Sequence, residues 1–481
     1  MRQWSPEYKQ LSSAVGVAMV GVVLGVVIAF PALALDAWRL EGDVTLNEVE
    51  AGWFVSVAQT VSVAGSIAGG VLNDVLGPRK LLLAVLPLLA STWPVFLACV
   101  HNLPLLLTVR VLQGLLCSAA TASVYIYPCE VTEARRRGAV GVLPDAAFSL
   151  GFMLTYFLAA ILHWSTVIVI MPLFFLPCVV TVFLVPESPS WLLQRGRMEE
   201  ARAILRQLRA QDVNVDKELL GMGPLDECGG GASVVRQPRL LLPVLASIFL
   251  MVLKEATGQI VVVLFVVHIF RKVDVGILPH VSSMLVGAAR LVANVACSFL
   301  VGRLPRRTLL ISASLAASVT IAILGGYFFR QDSQAWPDWV PLACLSVFVV
   351  AYGAGIGPVT CLMSTELLPG AVRGLGSGLA GSALNASQFT LTFAATQAGS
   401  GFYICLWSYA AGSACLAAFA LLLPETRNKS LRQIEEYWAD VSENITGKRW
   451  CLCLRRGAPD DCEANTKSKP RNTDSELVRT V

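Results

Sequence analysis

Long apolar runs alternate with short polar breaks along almost the whole chain. They begin near Ser12, Gly52, Leu81, Leu103, Ala139 and Thr166. A long polar stretch from Glu187 to Arg239 follows, and apolar runs resume near Leu240, Val281, Leu309, Val340, Gly374 and Phe402. The closing stretch, Pro424 to Val481, is polar again. A helix needs roughly 20 apolar residues to cross the hydrocarbon of a bilayer. The pattern therefore predicts an all-α membrane protein with twelve transmembrane helices in two six-helix halves. Residues 1–185 form the first half, 186–239 a linker, 240–423 the second half and 424–481 a tail. Within the linker, Met198 to Gln211 is rich in Glu, Ala, Arg and Leu and predicts an amphipathic helix. The run Gly353-Ala354-Gly355-Ile356-Gly357-Pro358 interrupts the tenth span and predicts a bend that serves as a gating hinge.

Composition agrees with a bilayer as solvent. Of 481 residues 55% are hydrophobic and only 15% charged, where a soluble protein carries roughly a quarter charged. Met1 to Ser12 is polar, and the first apolar run has no short core with a small-residue cleavage site, so the first span is expected to stay in the membrane. The 13 cysteines show no metal-ligand spacing.

Charge placement sets the expected orientation. Arg79 and Lys80 follow the second run, Arg135 to Arg137 the fourth, and Arg195, Arg197, Arg202, Arg206 and Arg209 the sixth. Arg303, Arg306 and Arg307 follow the eighth, and Arg373 the tenth. Basic residues collect on the cytosolic side of short loops, so both termini and the linker are expected in the cytosol, with the plasma membrane as the expected location.

Enzyme chemistry finds no support. There is no phosphate-cradling glycine loop with lysine, no triad signature and no metal cluster. No cofactor is expected. The basic residues spread along one rim, which argues against nucleic acid as a partner. The expected partners are a small-molecule solute and the lipid bilayer, with the protein a monomer.

The halves repeat. Glu130 precedes Arg137-Gly138 as Glu366 precedes Arg373-Gly374, and Pro186-Glu187-Ser188 recurs as Pro424-Glu425-Thr426 at nearly the same offset. Two matched signatures argue for two homologous halves. Pro186-Glu187-Ser188-Pro189-Ser190-Trp191-Leu192-Leu193 and Pro424-Glu425-Thr426-Arg427-Asn428-Lys429-Ser430-Leu431 are similar to the PESPRWL and PETKGKSL segments of the sugar porter family of the major facilitator superfamily. Trp53-Phe54-Val55-Ser56, Gly69-Gly70 with Asp74 and Gly77, Tyr127 with Glu130, and Gly357-Pro358 with Glu366 support the likeness, which covers roughly Ser12 to Glu436. The chain most resembles facilitative glucose transporters and arthropod trehalose transporters. The resemblance implies facilitated (uniport) transport of a hexose or a trehalose-like disaccharide by alternating access.

Acids at the cytosolic ends of spans face basic loops. Asp74, Glu130 and Glu366, with Arg79, Arg137 and Arg373 as candidate partners, are expected to lock the halves together when the protein is open outward. Arg110, inside the fourth span, matches a family arginine and suits either function or a nearby acid or carbonyl. The pattern also departs from the family. Pro78 stands where the family has the first arginine of Gly-Arg-Arg, and Gly302 and Pro305 replace an acid and a glycine after the eighth span. A weaker inner lock in the second half is therefore expected.

The departures are larger in the cavity. A sugar site needs amides that donate and accept, and an aromatic face. Counting from shared anchors, the family's fifth-span glutamine is Asp145, its seventh-span glutamines are Lys254 and Glu255, and its seventh-span asparagine is Ile260. The eighth-span amide is Arg290 and the tenth-span tryptophan is Cys361. Thr257 and Gly258 keep the Ser-Gly character, and Asn385 lies beside the eleventh-span asparagine. The expected solute contacts are Asp145, Lys254, Glu255, Gln259, Arg290 and Asn385. Intramembrane charges are usually internal and paired, and Asp145 and Arg290 in opposite halves are expected to pair if both point inward. Three readings follow: a sugar in a remodelled site, a charged or zwitterionic solute or a proton-coupled symporter, and a non-transporting sensor. Gly16 to Leu35 holds no titratable residue, which disfavours proton symport.

Overall fold

The computed structural model describes residues 6–41, 46–209, 238–261, 279–330, 339–397, 402–427 and 431–445, with a few isolated positions between them. The linker beyond Arg209 and the tail beyond Ile445 fall largely outside the described residues, so the expectations placed there are not addressed by the structure.

The first half opens with α1 (Pro6–Ala18) and α2 (Val20–Glu41), one span interrupted at Met19. It continues through α3 (Glu48–Leu76), α4 (Pro78–Cys99) and α5 (Leu103–Val131). A fifth span is split into α6 (Ala134–Gly141) and α7 (Leu143–Ile161), and α8 (Trp164–Leu184) closes the half. Two short helices, α9 (Pro189–Gln194) and α10 (Met198–Leu208), belong to the linker. The second half comprises α11 (Pro238–Ala256), α12 (Pro279–Arg303), α13 (Arg306–Phe329), α14 (Val340–Ala351), α15 (Gly357–Leu367), α16 (Arg373–Gln397) and α17 (Phe402–Leu422). The tail begins with α18 (Leu431–Ile445).

Local sequence explains where these helices start and stop. Asn47 opens α3 with a reciprocal cap: the Glu50 amide donates to Asn47 Oδ1 at 2.8 Å and the Asn47 amide to Glu50 Oε2 at 2.9 Å. Gly77 separates α3 from α4 at φ +87°, where Trp191 and Glu187 leave no room for a side chain. The Gly-rich run of the tenth span does not break the chain's helical course. It forms a single π-turn, Tyr352–Ile356, between α14 and α15, the wide-turn irregularity that membrane helices favour at functional places.

Among the described residues, ten helices are long and apolar enough to cross a membrane. The two others, α12 and α16, have 25 residues each. Arg290 in α12 and the Gly, Ser and Asn content of α16 lower their hydropathy without shortening them. Twelve spans result, as the apolar runs predict.

Each half has its own core. In the first, Phe30, Trp38, Phe54, Trp93 and Phe96 interlock, with the Phe30 and Trp93 rings edge-on at 5.1 Å. In the second, Ile321, Leu345, Phe348, Leu406 and Leu416 pack together. The halves meet chiefly along α3 with α16 and α7 with α12. Small residues permit the closest approach: Gly70 lies against the backbone of Gly374 and Gly378.

Candidate functional site

A cavity of about 260 Å³ sits between the halves. Helices α2, α3, α5 and α7 wall it from one side, and α11, α12, α15, α16 and the π-turn from the other. All six residues expected at a solute site border it: Asp145, Lys254, Glu255, Gln259, Arg290 and Asn385. Arg110 borders it as well.

The four charges among the six do not pair as expected. No ion pair within 4 Å forms between Asp145 and Arg290, or between any two of these four groups. Arg290 instead lies between two rings, its guanidinium carbon 5.5 Å from the Phe152 centroid and 5.6 Å from that of Tyr352. Phe152 belongs to α7 of the opposite half, two turns after Asp145 on the same helical face. A planar guanidinium stacks on aromatic faces more readily than it sheds its charge, and that packing holds Arg290 out of contact with the carboxylate. The Lys254 ammonium donates to Cys361 Sγ at 3.2 Å. Lys254 and Glu255, adjacent on α11, diverge by about 100°.

Apart from Arg110, the other polar groups at and beside the cavity are neutral. Asn385 Nδ2 donates to Ser66 Oγ at 3.0 Å, across the halves. One turn after Arg290, Asn294 Nδ2 donates to Ser149 Oγ at 2.6 Å and to the Asp145 carbonyl at 3.3 Å. Gly258, at φ +75°, lets the chain leave α11 and present Gln259 to the cavity, and its α-carbon abuts the Tyr409 ring. Arg110 Nη1 donates to Gln113 Oε1 at 2.8 Å, with the Val27 and Phe54 carbonyls at 3.5 Å. Its neighbours are amide and carbonyl oxygens, not an acid.

The basic end of the bundle is shut. Arg373 Nη1 donates to Glu130 Oε1 at 2.8 Å, joining second half to first. The other Glu130 oxygen accepts from Ser188 Oγ at 2.5 Å. Asp74 Oδ2 accepts the Leu375 amide at 2.9 Å, so a carboxylate of α3 caps the N-terminus of α16. Gln194 Nε2 reaches the Gly370 carbonyl at 2.7 Å. Among the described residues, the hydrogen bonds and ion pairs that link the halves lie at this end and at mid-depth.

The pairing at this end differs from the expectation in three places. Glu366 pairs with Arg306 of its own half, whose Nη1 also donates to Thr426 Oγ1 at 2.8 Å. Arg79 donates to the Phe183 carbonyl at 2.6 Å, and its backbone amide to Glu187 Oε1 at 3.1 Å. Arg137 Nε donates to the Cys129 carbonyl at 2.9 Å. One substitution explains the asymmetry. Pro78 begins α4 as Arg306 begins α13. Proline has neither the amide nor the guanidinium, so Glu130 has no arginine of its own half and takes one from the other. The expected weakness of the second-half lock is not seen: Glu425 accepts the amides of Arg306 and Arg307 at 3.2 and 3.1 Å despite Gly302 and Pro305. In the first half Glu187 holds the equivalent place, and burial pushes its carboxyl upward against the lowering effect of the Arg79 and Ser188 amides.

Sequence reasoning missed Arg306, Phe152, Tyr352 and Asn294. Arg306 carries a signal, its place in a doubled arginine, but that signal marks topology and does not reveal its partner. The two aromatic residues had none, because only packing brings them to Arg290.

A family described as sugar (and other) transporter matches residues 10–438. A facilitated trehalose transporter of Culex quinquefasciatus is 29% identical over 446 residues, covering 89% of this chain and 85% of that protein. One of Aedes aegypti is 29% identical over 446 residues, but the chain spans only 55% of its length. In fold, the chain is similar to the E. coli proton:xylose symporter XylE bound to 6-bromo-6-deoxy-D-glucose, with TM-score 0.77 at 21% identity, covering 90% of this chain and 99% of that one.

Proposed function

Because the chain belongs to the sugar (and other) transporter family, we propose that it carries a hexose or a trehalose-like disaccharide across a membrane by facilitated uniport with alternating access. The observation that carries this reading is the cavity between the halves, bordered by all six expected contacts while the basic end is closed. The curated relatives named as trehalose transporters support the substrate class.

The geometry suits a polyol. A sugar hydroxyl both donates and accepts. Asp145 and Glu255 accept from such groups, Arg290 and Lys254 donate to them, and Gln259 and Asn385 do both. Charge-assisted hydrogen bonds of this kind are roughly twice as strong as neutral ones. Phe152 and Tyr352 hold the Arg290 fork in a fixed direction, which limits the ordering cost of binding.

Transport requires the basic end to open. The contacts that must part are Glu130 with Arg373, Asp74 with the α16 N-terminus, and Gly70 with Gly374. The pairs within a half, such as Glu366 with Arg306, travel with their half as a rigid body. The π-turn at Tyr352–Ile356 lies beside the cavity and provides the hinge. We place the basic end, the linker and both termini in the cytosol, on the bias of Lys and Arg toward this end, and the protein in the plasma membrane as a monomer. Residues 1–185 and 240–423 are the two moving halves, joined by 186–239 and followed by the tail 424–481.

The test is uptake of radiolabelled glucose and trehalose by vesicles containing the purified protein, with and without a proton gradient. Saturable uptake that ignores the gradient supports the reading. Uptake that requires the gradient replaces uniport by symport, and no uptake beside a working control transporter overturns the sugar assignment.

A further inference from the structure

The cavity treats its acids and its bases differently. Each base already has company. Arg110 has Gln113 and two carbonyls, Lys254 has Cys361, and Arg290 lies over two aromatic rings, though its Nε makes no hydrogen bond. The acids are served unevenly: Tyr125 and Cys361 lie within hydrogen-bonding reach of Asp145, while Glu255 has no such neighbour among the described residues. Asp145 is 5% exposed and Glu255 4% exposed, yet Asp145 Oδ2 and Glu255 Oε2 have no hydrogen-bond partner. Neither carboxylate touches a cationic side chain within 4 Å. Both border the same cavity as Gln259 and Asn385.

Buried ionised groups left without hydrogen-bonded partners are costly, and each calls for a reason such as a functional role. The two open acceptors sit in opposite halves, Asp145 on α7 and Glu255 on α11. A ligand group that satisfies both must donate in more than one direction. An ammonium has three donors and a full positive charge. A hydroxyl has one donor and none.

We infer that the preferred solute of this cavity is an amino sugar, a hexose carrying a protonated primary amine that Asp145 and Glu255 bind between the halves. The inference rests on the sugar-transport reading and narrows it. The hydroxyls of the same solute meet Arg290, Gln259 and Asn385. Each acid belongs to a different half, so the amine draws the halves together around the solute. Loading and closure are then coupled through one group.

The test compares glucosamine, N-acetylglucosamine, glucose and glucuronate in vesicles containing the full chain. N-acetylglucosamine keeps the shape near the ring and loses the charge. The expected result is a KM for glucosamine at least tenfold below that for glucose, with N-acetylglucosamine resembling glucose or weaker. Glu255→Gln and Asp145→Asn should each shrink the glucosamine-to-glucose advantage about tenfold, read as a change in KM ratio within one variant. If either variant fails to reach the membrane, the selectivity of the native protein decides. Equal or better handling of glucose overturns the inference and leaves the sugar reading standing. Preference for glucuronate overturns it in favour of the basic residues. Uptake of trehalose but of none of the four overturns the inference alone, and uptake of none of the five, beside a working control, removes the sugar reading itself.

Discussion

Glu130 and Arg373 face each other across the two halves at 2.8 Å, with side chains only 5% and 4% exposed. The pair exists in this form because the first half lacks an arginine at Pro78. Breaking a buried ion pair by removing one member costs roughly 3–5 kcal/mol, since the other charge is left behind. Here that cost falls on the state closed at the basic end. Glu130→Gln is expected to slow transport about tenfold or more while leaving the order of substrate preference unchanged. Rates and KM values for two sugars in vesicles check this, and a changed preference counts against a locking role.

The Arg306–Glu366 pair is expected to behave differently. Both residues are buried in one half and remain together when the halves rock. Arg306→Ala should lower the thermal midpoint of the purified protein in detergent, by an amount corresponding to roughly 3 kcal/mol. The accompanying loss of transport should follow the loss of folded protein. A variant with a native midpoint and no transport would place Arg306 in the gate instead.

Asp74 caps α16 from the opposite half, with Oδ2 on the Leu375 amide. Loss of a capping side chain costs about 1 kcal/mol, so Asp74→Asn and Asp74→Ala should differ. The amide side chain still accepts the hydrogen bond, and the methyl does not. Labelling, from the basic end, of a cysteine placed in the gate should rise severalfold in the alanine variant and less in the asparagine variant. Equal labelling of the two would dismiss the cap as a gate element.

Arg290 depends on its two rings. Arg290→Lys keeps the charge and loses the guanidinium that lies over Phe152 and Tyr352. Its KM for the transported sugar should rise about tenfold, corresponding to the ~1.4 kcal/mol that separates a tenfold change in binding. An unchanged KM in a folded variant would exclude Arg290 from solute contact.

Gly258 is held at φ +75° with the Tyr409 ring against it. Gly258→Ala meets both the unfavourable backbone region and the ring. A destabilisation of about 1–3 kcal/mol is expected, seen as a lower thermal midpoint and as weakened solute binding by the neighbouring Gln259. A midpoint equal to that of the native protein would mean that the end of α11 is free to move.

The sequence by itself determined the number of spans, their grouping and the end of the bundle that carries the basic residues. These follow from hydropathy and charge, which act along the chain and need no knowledge of neighbours. Through its resemblance to the sugar porter family, counted from shared anchors, it also pointed to Asp145, Lys254, Glu255, Gln259, Arg290 and Asn385, all of which border the cavity. Their partners were decided only in three dimensions. Arg290 chose two rings over Asp145, Glu130 chose Arg373 of the other half, and Glu366 chose Arg306. A buried charge takes whichever satisfied environment packing brings within a few ångströms. That distance depends on how whole helices cross, not on any spacing along the chain.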